Sequence, residues 1–319
     1  MNNQINQKYW QSHDLKNSSK WFTFTENVTS ICEQILDEIE NGFGIFLVRR
    51  LPIQGLTIQE IKELYFQLGL QLGTPVFQDP HGTRIVDIRS TEANPQNALH
   101  YQLKSDGTNT RPYETNAAFS FHTDPCDVAG LLCIHNAVQG GENRIVSSVA
   151  IHNAIAEKDK DLLRALYECF YYVKPPQSNK PFDYHRIPVF SLYQGHFKSH
   201  VVPELIRAAQ TYSAVPRLNK LQLRALEYLE QLANDSSFYY ELTLSPGDLL
   251  LVNNHVIYHA RNSYQDGTMQ RHLLRLWLAV SNSRPLDPIH QAWFGDTNAG
   301  AIRGGYWRNQ LKFLQGETL

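Results

Sequence analysis

Cysteine is scarce. The four that occur, Cys32, Cys126, Cys133 and Cys169, stand far apart with no Cys-x-x-Cys pair, which argues against a zinc ribbon and gives no disulfide framework. The thiols are expected to be reduced, with Cys126, two residues past Asp124, a small buried one. A basic excess is also missing: 29 Lys and Arg against 31 Asp and Glu leave a formal charge of -2. Nothing here makes a footprint for a phosphate backbone, so nucleic acid is not an expected partner. No apolar run approaches the roughly 20 residues that span a bilayer, and the start Met1-Asn2-Asn3-Gln4-Ile5 has no charged segment followed by an apolar one. A cytoplasmic protein without a membrane partner is expected. No repeat, low-complexity tract or Pro-rich linker marks a domain boundary, and no heptad announces an interface, which leaves a monomer or small homo-oligomer.

What is present suits a globular chain. With 319 residues, 42% hydrophobic and 19% charged, it can bury a substantial core, and a single domain over 1–319 is expected. Apolar residues at helical spacing predict helices over 28–39, closed by Asn41-Gly42, and over 58–68, where Thr57 and Glu60 make a capping box and Gly73 marks the stop. Leu221, Leu223, Leu226, Leu229 and Leu232 predict a helix over 218–233 with a leucine stripe in the core. Shorter helices are expected over 149–155 and 160–170. Apolar runs between turn signals predict strands over 44–48, 85–88, 129–135, 144–148, 239–244, 248–252 and 273–280. Gln194-Gly195 predicts a hairpin turn between 189–193 and 197–202. Many strands with a few helices, and no regular βα alternation, point to a mainly β fold, a sandwich or jelly-roll core with helices around it. The polar stretch around 90–118 shows neither period and is read as an active-site lid, because it stands just before the motif that carries the chemistry.

That motif is Phe121-His122-Thr123-Asp124. Side chains at i and i+2 of a strand share a face, so His122 and Asp124 can converge on one ion while Thr123 points away. With a second histidine from elsewhere they make a 2-His-1-carboxylate face for non-haem iron(II). A His-x-Asp alone is weak, since the tripeptide is common. Its companions are specific: the Gly140-Gly141 turn, Pro246-Gly247-Asp248 followed by Asn253-Asn254, Tyr258-His259-Ala260-Arg261, and Arg271-His272-Leu273-Leu274-Arg275. Taken in this order, the set resembles the TauD/TfdA family of iron(II)/2-oxoglutarate-dependent oxygenases over most of the span from Phe121 to Val280. The first 90 residues and the tail after Arg284 fit only loosely.

The resemblance implies a double-stranded β-helix (jelly-roll) core flanked by α-helices, with Fe(II), 2-oxoglutarate and O2 as cofactor and co-substrates and a small molecule as substrate. Carried over by position, it implies that His122, Asp124 and His259 hold Fe(II). Arg271, twelve residues after His259, would take the distal carboxylate of 2-oxoglutarate, and Arg275 would reach an acidic group of the substrate. Guanidinium suits both tasks, as a planar fork whose charge persists when buried. Asn143 stands where many relatives carry Thr or Ser after the Gly-Gly turn, and its amide can still donate to 2-oxoglutarate. His255 and His259 have the spacing of a helical metal pair, but their segment reads as strand and turn, so His259 is preferred. His100, His135 and His272 are given no role, and Arg303-Gly304-Gly305 is expected to be a surface loop, the alternative being a turn that closes over the pocket.

The implied activity is hydroxylation of an unactivated C–H bond in a carboxylate, amino-acid derivative or natural-product intermediate, with release of succinate and CO2. Desaturation or cyclisation would use the same cofactors. Halogenating relatives replace the carboxylate ligand, so Asp124 favours hydroxylation. The alternative from another class is a jelly-roll binding or structural protein whose His/Asp cluster holds zinc or no metal. Such a protein has no use for a buried Arg271.

Overall fold

Strands that bury both faces build the larger sheet. In Ile45–Arg49, Val128–His135, Leu249–Asn253 and His272–Ala279 nearly every residue is buried, and successive side chains go to opposite layers, as the period of two requires. Ile45, Leu47, Leu250, Val252, Leu273 and Trp277 join one apolar cluster, whereas Phe46, Val48, Leu249, Leu251, Leu274 and Leu276 join another. The computed structural model describes residues 5, 7–25, 28–91, 111–173 and 184–307. Most of the stretch expected as a lid, including His100, lies outside the described residues; Pro112–Glu114 within it forms a 3-10 turn.

The sheet runs in the order Phe22–Phe24, Ile45–Arg49, Leu249–Asn253, Val128–His135, His272–Ala279 and Thr74–Pro75, with Ile85–Ile88 also paired to His272–Ala279. All these pairings are antiparallel except the first, Phe22–Phe24 beside Ile45–Arg49. Two helices, Cys32–Asn41 and Ile58–Leu72, cover its outer layer with Ile35, Ile39, Ile61, Tyr65 and Leu68. Each such apolar side chain, fully buried, contributes about 1.5–3 kcal/mol. Thr57 and Glu60 form the expected capping box. A Cβ on Gly69 would lie 2.3 Å from Leu276 Cδ2, so the glycine lets this helix settle on the sheet. Residues Thr29–Ile31, expected within the first helix, form a 3-10 turn before it.

A second, four-stranded antiparallel sheet has the order Tyr240–Leu242, Asn143–Ser147, Ile257–Arg261 and Phe119–His122. Its Phe121, Ile145, Ile257 and Ala260 belong to the same cluster as Leu250 and Trp277, so the two sheets share one apolar interior. Helices Ser148–Lys158, Lys160–Tyr167, Pro203–Ala209 and Lys220–Ala233 add Val149, Leu163, Ile206 and Leu229 to it. The result is a mixed architecture of sheets and helices. The hairpin forms at Gln194 and Gly195, both with positive φ, 49° and 81°.

Two expectations need correction. The helix expected over 160–170 ends at Tyr167, and Cys169–Val173 is a strand paired with Tyr184–Pro188, because the β-formers Phe170 to Val173 suit a ladder better than a helix turn. Leu223 is 46% exposed, while Leu226, Leu229 and Leu232 are buried. At about 100° per residue it lies about 120° round the helix from Leu229, outside the buried arc. Among the described residues no helix is long and apolar enough to cross a membrane.

Candidate metal centre

Strand pairing brings the histidines together. Phe119–His122 lies beside Ile257–Arg261 with His122 opposite His259, and their ring centroids are 4.2 Å apart. Asp124 follows in the loop after the strand, where its backbone N–H donates to Asn254 Oδ1 at 2.9 Å. One atom each from His122, Asp124 and His259 lie within 4.8 Å of one another, the sole group of this kind among the described residues. His122 Nδ1–H donates to the Ser120 carbonyl at 2.8 Å, which leaves the Nε2 lone pair for an ion. His259 Nε2 stands 3.7 Å from Asp124 Oδ2. Burial, then the neighbouring His259, pushes the His122 imidazole down to about 3, the neutral form that ligation needs. Thr123 turns away, its Oγ1 2.9 Å from His200 Nδ1. Two imidazoles and a carboxylate in this arrangement fit divalent iron with positions left open.

A buried cation packs against the Gly140-Gly141 turn and the Tyr264 ring. Arg271 is 1% exposed. Its Nη2 donates to the Gly141 carbonyl at 3.1 Å, while Nε and Nη1 are buried without a hydrogen-bond partner. Gly140 and Gly141 make its cradle, both with positive φ, 76° and 77°. A Cβ on Gly140 would stand 2.2 Å from the Ser263 carbonyl oxygen, and one on Gly141 2.8 Å from Arg271 Nε. Asn143 pairs with Arg261 and Ile145 with His259 in the ladder, so Asn143 shares the face of His259. A buried guanidinium with free donors fits a carboxylate-bearing co-substrate.

The sequence model described as "Taurine catabolism dioxygenase TauD, TfdA family" matches residues 19–277. The chain belongs to this family. It is 30% identical over 268 residues to FR-33289 synthase of Streptomyces rubellomurinus (strain ATCC 31215), covering 81% of this chain and 76% of the relative. It is 27% identical over 202 residues to uridine-5'-phosphate dioxygenase of Amycolatopsis sp, covering 59% and 70%. Among solved structures, asparagine oxygenase in complex with Fe(II), 2S,3S-3-hydroxyasparagine and succinate superposes with a TM-score of 0.57 at 15% identity, covering 81% of this chain and 93% of that one. As a TauD/TfdA protein the chain is an Fe(II)- and 2-oxoglutarate-dependent dioxygenase acting on a small molecule.

Around His122, Asp124 and His259, in this TauD/TfdA chain, the structure adds partners, of which Gln78, Trp277 and Asn254 were given no role by the sequence. Arg275 Nε donates to Gln78 Oε1 at 2.7 Å, and its Nη1 stands 3.5 Å from Asp124 Oδ1. Its guanidinium lies 4.5 Å from the Trp277 ring and 5.0 Å from that of Tyr113. Trp277 Nε1–H donates to Asp124 Oδ2 at 2.8 Å. Burial pushes Asp124 up, but Arg275, then His259 and His122, outweigh it and hold the carboxyl far below the usual carboxylate range. Trp277 could have been read from its place two residues after Arg275 on one strand face. Gln78 and Asn254 carry no comparable signal.

Other histidines and the C-terminal stretch have different work. His255 Nε2 is 2.7 Å from Asp127 Oδ1 and its Nδ1 3.0 Å from Lys198 Nζ, outside the triad. His272 Nε2 is 2.8 Å from Asp87 Oδ1, and His135 lies opposite His272 in the ladder. Cys126 is fully buried, and its Sγ accepts from Asn254 Nδ2 at 3.2 Å; burial, then the Asp124 charge, pushes its thiol up. At the surface loop expected over Arg303-Gly304-Gly305, Arg303 and Gly304 are buried instead. Arg303 is 1% exposed, its Nε donates to Asp127 Oδ1 at 2.8 Å, and the Gly305 N–H donates to the Pro125 carbonyl at 2.6 Å. The segment therefore braces the loop that carries Asp124.

Proposed function

We propose that this protein hydroxylates an unactivated C–H bond of a small acidic molecule, with His122, Asp124 and His259 holding Fe(II). Arg271 and Asn143 receive 2-oxoglutarate, and Arg275 meets an acidic group of the substrate. Bound together, iron and 2-oxoglutarate supply the oxidising chemistry, in which O2 is consumed, 2-oxoglutarate leaves as succinate and CO2, and the substrate gains a hydroxyl.

The chain's own residues orient and exclude. The Ser120 carbonyl fixes the His122 tautomer, and Asn254 and Trp277 fix Asp124. Trp277 and Tyr113 flank Arg275 and keep its charge pointed at the site. One observation carries the reading: Arg271, 1% exposed and with two unpartnered nitrogens, in a chain that also holds a two-histidine, one-carboxylate cluster. A zinc or metal-free binding protein would leave that buried charge unexplained. Desaturation or cyclisation would draw on the same residues; retention of Asp124 supports hydroxylation. An acidic substrate is supported by the name of one relative, a dioxygenase of uridine 5'-phosphate. Two mainly antiparallel sheets around one interior support a double-stranded β-helix core within one catalytic domain over 1–319.

The test is 2-oxoglutarate turnover with Fe(II) in wild type and in Asp124→Ala, screened across small acids. Succinate release stimulated by one acid and lost in the variant is the expected result. Undiminished succinate from Asp124→Ala would overturn the assignment.

A further inference from the structure

Buried arginines in this protein take anions as partners. Arg303 Nε meets Asp127 at 2.8 Å, Arg284 Nε meets Glu40 at 2.7 Å, and Arg275 Nη1 stands 3.5 Å from Asp124. Two break the pattern, and they are neighbours. Arg261 and Arg271 both lie against Tyr264, their guanidinium carbons 5.0 and 5.2 Å from its ring centroid. They are 7% and 1% exposed. Among the described residues neither forms an ion pair. Asp266 accepts the Arg271 backbone N–H at 2.7 Å, and Glu142 accepts from Asn262 Nδ2 at 3.0 Å, so the nearby carboxylates are engaged elsewhere. Arg261 Nη2 donates to the carbonyls of Thr115 and Ala117, while Arg261 Nε and Arg271 Nε and Nη1 are buried without a partner.

Two like charges packed on one buried tyrosine ring repel, and each unmet N–H adds a desolvation cost. An anion between them removes both penalties. Arg261 is placed to share it: two residues after His259 on one strand, opposite Asn143 in the next. We propose that Arg261 is a second cation of the co-substrate pocket, receiving the distal carboxylate of 2-oxoglutarate jointly with Arg271. A carboxylate has about four acceptor sites, enough for the three free nitrogens. The pocket then discriminates strongly for a 2-oxo acid with a second carboxylate over one without. This inference rests on the 2-oxoglutarate reading of the site.

The test is a binding titration without turnover. Anaerobic protein loaded with Fe(II) is titrated with 2-oxoglutarate and with 2-oxovalerate, which has the same chain length and lacks the distal carboxylate, following the visible charge-transfer band. The variants are Arg261→Gln, whose amide can still donate to the Thr115 and Ala117 carbonyls, and Arg261→Lys, which keeps the charge. For Arg261→Gln, the Kd for 2-oxoglutarate is expected to rise about 10- to 100-fold, the range for a lost charged hydrogen bond. The Kd for 2-oxovalerate should stay within about twofold by the same reasoning. Arg261→Lys falls between. Equal weakening of both acids would assign Arg261 to bracing residues 115–117 and overturn the proposal, as would no change in either. Should wild type give no band with 2-oxoglutarate, the underlying reading falls and this inference with it.

Discussion

Gly141 makes room for Arg271: a Cβ at that position would stand 2.8 Å from Arg271 Nε, and the Gly141 carbonyl accepts from Arg271 Nη2 at 3.1 Å. In Gly141→Ala the left-handed φ of 77° costs about 1–2 kcal/mol, and the guanidinium is displaced. The Kd for 2-oxoglutarate is expected to rise at least about tenfold, with Fe(II) binding unchanged, as isothermal titration would read. A wild-type Kd in the variant would remove Gly141 from the co-substrate cradle.

Asp127 anchors the opposite side of the loop. Its Oδ1 accepts from Arg303 Nε at 2.8 Å and lies 2.7 Å from His255 Nε2, and its Oδ2 accepts the Val280 N–H at 3.2 Å. Asp127→Asn leaves the Arg303 charge buried without its counter-ion, which costs about 3–5 kcal/mol. The expected readout is a lower urea midpoint at unchanged slope. A loss below about 1 kcal/mol would mean that the cluster does not rely on this carboxylate.

In the metal-free protein His122 should remain neutral well into acid. Burial, then His259, lowers its imidazole from 6.5 to about 3. Between those values the unfolded chain binds a proton that the folded chain refuses. The stability this group contributes is therefore full above about pH 6.5 and lost as pH falls toward 3, at up to about 1.4 kcal/mol per unit. The His122 Hε1 resonance should hold its neutral shift down to about pH 4. A titration midpoint near 6 would contradict the burial.

Helix Lys220–Ala233 separates two leucines that look alike in sequence. Leu229 is 1% exposed and Leu223 46%. Leu229→Ala is expected to cost about 2–5 kcal/mol, and Leu223→Ala to stay within about 0.5 kcal/mol. Equal costs in thermal unfolding would show that the buried arc is misplaced.

The cluster of His122, Asp124 and His259 was legible because its residues carry fixed chemistry at fixed spacing: His122 and Asp124 with one residue between them, and His259 ahead of Arg271 and Arg275. The strands 129–135, 248–252 and 273–280 were legible because a sheet buried on both faces writes a continuous apolar run. Partnerships across long sequence separation were not. Arg303 reads as a surface turn between glycines, and only folding brings it to Asp127, 176 residues away. Lys198 and His255 meet in the same way. Leu223 failed for a simpler reason: a stripe of leucines gives the helix but not the width of its buried arc.

The central claim is that His122, Asp124 and His259 hold iron beside a 2-oxoglutarate anchored by Arg271. The direct measurement is the visible charge-transfer absorbance on adding 2-oxoglutarate to the anaerobic Fe(II) protein, in wild type, His122→Ala and Arg271→Met. A band in wild type, absent in His122→Ala and needing at least about tenfold more 2-oxoglutarate in Arg271→Met, is the expected result. No band in the intact protein, or an unchanged titration in both variants, would contradict it.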